Sequence, residues 1–132
     1  MYLWILDFGS FAAFYNAWGI GANDCANSFA TSVGAKVLTL KKAIIIASIF
    51  EFLGAFLMGS HVTSAIRKKI VSFEIFEAEP GALMFGMLCC NISAGIWLNL
   101  ATYFKFPVST THSIIGAIIG FSLAYGGSES IL

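Results

Sequence analysis

Gly19-Ile20-Gly21-Ala22-Asn23-Asp24-Cys25-Ala26-Asn27-Ser28 sets one carboxylate and two amides inside a hydrophobic run. The glycines at 19 and 21 accept backbone conformations that other residues resist. A helix arriving from the N-terminal side is therefore expected to unwind there and restart near Asn23. A restart exposes N–H groups and partial positive charge, which suits an anion. At about 100° per residue, Asn23, Asn27 and Thr31 share one row, with Asp24 and Ser28 beside it. Ala22, Ala26, Ala30 and Gly34 form a second row, small enough for another helix to approach closely. Cys25, Phe29 and Val33 complete an apolar back.

Outward from this stretch, residues 2–35 are apolar apart from Asp7, Asn16 and the motif itself. One straight helix of that length would measure roughly 50 Å, against about 30 Å of hydrocarbon in a bilayer. The reading is a broken helix over 2–35, its first part ending near Trp18. The unwound turn would lie near mid-membrane, covered by protein or a wet cavity. Lys36, Lys41 and Lys42 mark a polar turn, and Thr39 is placed to cap the next helix. Segment 40–66 reads as a span, with Glu51 about 14 Å beyond Lys42 at ~1.5 Å per residue, close to the midplane. Ser48, Glu51, Ala55 and Gly59 share a face of it. Arg67, Lys68 and Lys69 end the span, and Glu74, Glu77, Glu79 and Pro80-Gly81 read as a solvated connector.

Segment 82–104 is either a full span or one arm of a re-entrant hairpin. Gly86 and Gly95 are its small contacts, and Asn91, Ser93 and Asn99 its polar insertions. Pro107 then restrains the chain. Ser109, Thr110 and Thr111 crowd the start of a helix over 109–125, in which Gly116 and Gly120 are spaced for close contact.

Composition agrees with a membrane environment. The 132 residues are 58% hydrophobic and 11% charged, with mean hydropathy +0.86. The apolar segments fill the chain and leave no soluble domain. A formal net charge of zero gives no reason to expect nucleic acid as a partner. Cys25, Cys89 and Cys90 lie in apolar segments, so neither a disulfide framework nor a metal spacing is present. No basic residue precedes the first apolar run, which carries Asp7. The first helix is expected to act as its own membrane signal rather than be cleaved. Lys36, Lys41, Lys42 and Lys105 on one side balance Arg67, Lys68 and Lys69 on the other, so lysine and arginine set no orientation. Nothing resembles a nucleophile and base in register with a cleft, and an enzyme is not expected.

Gly21-Ala22-Asn23-Asp24-Cys25-Ala26-Asn27-Ser28 resembles the signature of the inorganic phosphate transporter family, with Cys25 where an apolar residue is usual. Pro107-Val108-Ser109-Thr110-Thr111-His112-Ser113 is similar to that family's Pro-x-Ser-x-Thr-His element. Ala47-Ser48-Ile49-Phe50-Glu51-Phe52 is similar to the segment carrying its intramembrane glutamate. The likeness runs in order through nearly the whole chain and is strongest to eukaryotic members. It implies sodium- or proton-coupled transport of inorganic phosphate.

Phosphate needs donors and charge cancellation to leave water. Asp24, Ser109, Thr110, Thr111 and His112 are the candidate phosphate site, the hydroxyls acting together with the amides of a helix N-terminus. A plain N-cap is the competing reading of the Ser-Thr-Thr run. Asp24 beside phosphate requires either a proton or a cation between the two charges. Asn23, Asp24, Asn27 and Glu51 are the candidate cation or coupling residues, together with carbonyls of the unwound 19–21 turn. No cofactor is expected beyond Na+ or H+ as coupling ion.

The resemblance further implies an all-α transmembrane fold. The chain would be one inverted-repeat half of a secondary transporter, the N-terminal one, with a broken first helix and a half-helix starting near Pro107-His112. One copy of each motif points to a partial sequence completed by a missing second repeat, or to pairing with another copy of the chain. The other partners are inorganic phosphate and the lipid bilayer. The expected location is a multi-pass integral membrane protein, with the plasma membrane preferred to an internal one. A non-transporting membrane assembly or receptor protein, or an inactive truncated fragment, is the alternative. Two intramembrane carboxylates are more than a packing module needs.

Overall fold

The computed structural model describes residues 3–69 and 79–127, with side chains except those of 66–69. Four helices account for them: α1 (Leu3–Gly34), α2 (Leu40–Lys69), α3 (Pro80–Tyr103) and α4 (Thr110–Gly126). Glu74 and Glu77 of the expected connector lie outside the described residues. The all-helical architecture is the one the sequence implied.

One expectation is overturned within it. α1 runs unbroken for 32 residues through Gly19 and Gly21. The use of Gly19 is packing: a Cβ there would stand 2.7 Å from Asn99 Nδ2 and 3.2 Å from Leu98 Cβ, whereas one on Gly21 would meet nothing within 4 Å. A helix-interior glycine costs only about 1 kcal/mol against alanine, which close approach of α3 offsets. At ~1.5 Å per residue α1 exceeds the hydrocarbon thickness, and tilt accommodates the excess without a break.

The buried residues of α1 are Ile5, Ala12, Asn16, Gly19 and Asn23, a three-and-four spacing that defines a coiled-coil-like seam. The row Ala22, Ala26, Ala30 and Gly34, expected to be the seam, is exposed. Contact positions along α1 and α3 rise together in residue number. Ile5 and Ala12 cluster with Leu88. The Asn16 amide donates to Asn91 Oδ1 at 2.7 Å, and the Asn23 amide to Thr102 Oγ1 at 3.2 Å. The two helices are therefore parallel, and two polar layers fix their register.

α4 returns antiparallel to α3. Cys90 donates from Sγ to the Ala117 carbonyl at 3.3 Å, Phe121 lies on Gly86, and the Tyr125 hydroxyl donates to Glu79 Oε2 at 3.0 Å. Glu79, expected in a solvated connector, thus ties the two helix ends together. Gly116 and Gly120, spaced for a close helix contact, face open space. α2 packs chiefly along α1, buries Ala43 and exposes Phe50, Phe52, Phe56 and Leu57. Within α2, Leu40–Ala65 is long and apolar enough to cross a membrane, as is all of α3.

Both helices of the parallel pair end in the same way. Lys36 (φ 60°) donates from its amide to the Val33 carbonyl while Val37 donates to Ser32. Lys105 (φ 61°) donates to Thr102 while Phe106 donates to Ala101 at 2.8 Å. These are Schellman closures with lysine where glycine is favoured. The turn at Lys105 sends the chain back across α1 and so creates the site.

Candidate functional site

The connection from α3 to α4 crosses α1 at Asn23, which is only 4% exposed. Its amide donates to Thr102 Oγ1 and to the Phe106 carbonyl at 3.1 Å. Its Oδ1 accepts from Asn27 Nδ2 at 2.8 Å and from the Val108 amide at 3.3 Å. Asn27 also reaches the Val108 carbonyl at 3.5 Å. Both elements singled out in the sequence are thereby joined.

Just beyond this hub α4 begins. Ser109 has an extended backbone and is the N-cap, its Oγ accepting from the His112 amide at 3.3 Å. The capping reading of Ser109 is therefore met, and its hydroxyl donates nothing in that bond. Thr110 behaves differently: its Oγ1 donates to Asp24 Oδ2 at 2.8 Å. A carboxylate thus sits at the amino end of α4, where exposed amides and the helix dipole favour negative charge. Thr111 and His112 are exposed on the first turn.

Asp24 also lines an open cleft of ≈ 1170 Å³ between α1 and α2. Ser28 of α1 and Ser48 and Glu51 of α2 line it with Asp24, amid Trp18, Phe29 and Phe50. Two carboxylates and two hydroxyls therefore face one space with largely apolar walls. Cys25, expected on the apolar back of its helix, lines the same cleft. The residues divide into two groups. Asp24 and Glu51 face the cleft, whereas Asn23 is turned to α3 and Asn27 to Asn23 and Val108. Because α1 is unbroken, the carbonyls of residues 19–21 are engaged within the helix and offer no cation ligands.

Thr102, the Phe106 carbonyl and the Val108 amide were not singled out from sequence. A hydroxyl in the last turn of an apolar helix was a signal for Thr102. Backbone partners leave none.

The pattern of the phosphate transporter family matches residues 20–132, which include every residue of this site except Ala17 and Trp18 at the cleft wall. The chain belongs to that family. A sodium-dependent phosphate transporter of Plasmodium falciparum is 50% identical over 129 residues, covering 98% of this chain and 19% of the relative. The chloroplastic inorganic phosphate transporter 2-1 of Arabidopsis thaliana is 48% identical over 118 residues, covering 89% of this chain and 20% of the relative. A solved structure named as the sodium-dependent phosphate transporter superposes with a TM-score of 0.88 at 46% identity, covering 96% of this chain and 31% of that one. The chain therefore spans about a fifth to a third of the length of these phosphate transporter family members. Family membership, together with the apolar lengths of α2 and α3, makes this a membrane protein.

Proposed function

We propose that this chain supplies one half of the substrate site of a multi-pass, sodium-coupled inorganic phosphate transporter. The observation that carries the reading is the hydrogen bond from Thr110 to Asp24. It sets an anionic side chain at a helix N-terminus, beside a cleft that also holds Glu51.

The chemistry follows from charge. An ionised Asp24 at the amino end of α4 repels phosphate in a low-dielectric cleft. A sodium ion held by Asp24, with oxygens of Glu51, Ser28 and Ser48 facing the same space, cancels that repulsion. Phosphate is then received by the Thr111 hydroxyl and the first amides of α4, with the Thr110 hydroxyl holding Asp24 in place and His112 at the rim. Binding of cation and anion is thereby coupled through one carboxylate. Transport rather than bond chemistry is the role this supports. Sodium as coupling ion is supported by the names of the Plasmodium relative and the solved structure. The exposed aromatic face of α2 suits cover by lipid, by a second repeat or by another copy of the chain.

The test is uptake of radiolabelled phosphate by proteoliposomes containing this chain, under a sodium gradient and separately under a proton gradient, beside Asp24→Asn. Sodium-driven uptake that the variant abolishes supports the reading. Uptake indifferent to Asp24→Asn overturns it.

A further inference from the structure

We infer that Thr102 is a positioning residue of this site: it fixes the Asn23 side chain as a latch that clamps the 104–109 connection to α1. Asn23 then holds the half-site together and is not a cation ligand. The inference rests on the proposed reading of the half-site, and its test separates the two.

A side-chain amide has two N–H donors and one oxygen with two acceptor positions. In Asn23 all four are committed. The donors go to Thr102 Oγ1 and the Phe106 carbonyl, and the oxygen accepts from Asn27 and Val108. Burial leaves only 4% of the residue exposed, so no open coordination position faces the cleft. Asp24, the next residue, occupies that face instead.

Thr102, together with the Phe106 carbonyl, sets which way the Asn23 amide points, and it is the one side chain of α3 that does so. The single hydroxyl proton of Thr102 is donated to the Leu98 carbonyl at 2.8 Å. Its oxygen can then only accept from Asn23, which turns the NH2 group toward α3 and leaves Oδ1 for the Val108 amide. Val108 precedes the Ser109 cap by one residue and Thr110 by two. A rotated Asn23 would present NH2 to the Val108 N–H, donor against donor, and release the connection. The Thr110 hydroxyl would then lose its fixed place on Asp24. The orientation of the Thr102 hydroxyl thus acts, through one amide, on the connection that places Thr110 against Asp24.

The test is residue-resolved amide hydrogen exchange on the full chain in a phosphorus-free detergent, comparing wild type with Thr102→Val and Thr102→Ser. Valine keeps the branched shape and removes the acceptor. The expected result is that the Val108 amide exchanges about tenfold faster in Thr102→Val and near wild-type rate in Thr102→Ser, while Leu98 and Ala101 in α3 keep their protection. Unchanged exchange at Val108, failure of serine to restore it, or an equal loss of protection along α3 would each overturn the latch. A parallel titration with inorganic phosphate decides the functional reading separately. A chain that ignores phosphate overturns that reading, and Val108 exchange still decides the latch.

Discussion

The Thr110 hydroxyl donates to Asp24 Oδ2 at 2.8 Å, across 86 positions of sequence. Neither residue could hold this geometry unaided. α1 and α3 are set in register by the Asn16–Asn91 and Asn23–Thr102 layers, and the turn at Lys105 returns the chain over Asn23. Asp24 is then within reach of the first turn of α4.

Asp24→Asn retains an oxygen that accepts from Thr110 and removes the charge. The fold should persist, with circular dichroism unchanged, while sodium-dependent phosphate binding falls at least about tenfold, the effect of losing a charge-assisted contact. Isothermal titration with phosphate in sodium and in choline buffers measures it.

Thr110→Val removes the donor to Asp24 and keeps the side-chain shape. Hydrogen bonds to charged groups contribute about 1.5–3 kcal/mol, so phosphate affinity should fall by roughly ten- to a hundredfold. Thr110→Ser should restore most of it. An undiminished affinity in the valine variant would separate this hydroxyl from the site.

Gly19 and Gly21 should respond in opposite senses. A methyl on Gly19 presses on Asn99 and Leu98 and should destabilise the α1–α3 pair by about 1–3 kcal/mol. Gly21→Ala meets open space inside a continuous helix and should be neutral or stabilising by up to about 1 kcal/mol. Thermal unfolding in detergent compares them. Strong destabilisation by Gly21→Ala would contradict an unbroken α1.

A double-mutant cycle on Asn16→Ala and Asn91→Ala should return a coupling of about 0.6–1.7 kcal/mol, the range for hydrogen bonds between membrane helices. Coupling near zero would leave Gly19 and Gly95 as the features that set the register.

Much of this was legible in the sequence because membrane helices announce themselves by apolar length and polar side chains inside them stand out. The motif residues Asp24, Glu51 and Thr110 were visible for that reason. The break at Gly19-Gly21 was misread because glycine serves both unwinding and close packing, and only the position of Asn99 distinguishes them. Asn23 and Asp24 were both candidate cation residues, with Asp24 a phosphate candidate as well. Their opposite orientations depend on where α3 lies, which is a tertiary fact. Thr102 entered the site through the α1–α3 register, and the Val108 amide through the Lys105 turn, a lysine in a left-handed conformation that composition does not signal.

The most direct test of the half-site is phosphorus NMR of inorganic phosphate titrated with the full chain in a phosphorus-free detergent, where even weak exchange broadens the line. The expected result is broadening that requires sodium and disappears in Asp24→Asn. No broadening with folded wild-type chain, or equal broadening by the variant, would contradict a half-site built on Asp24.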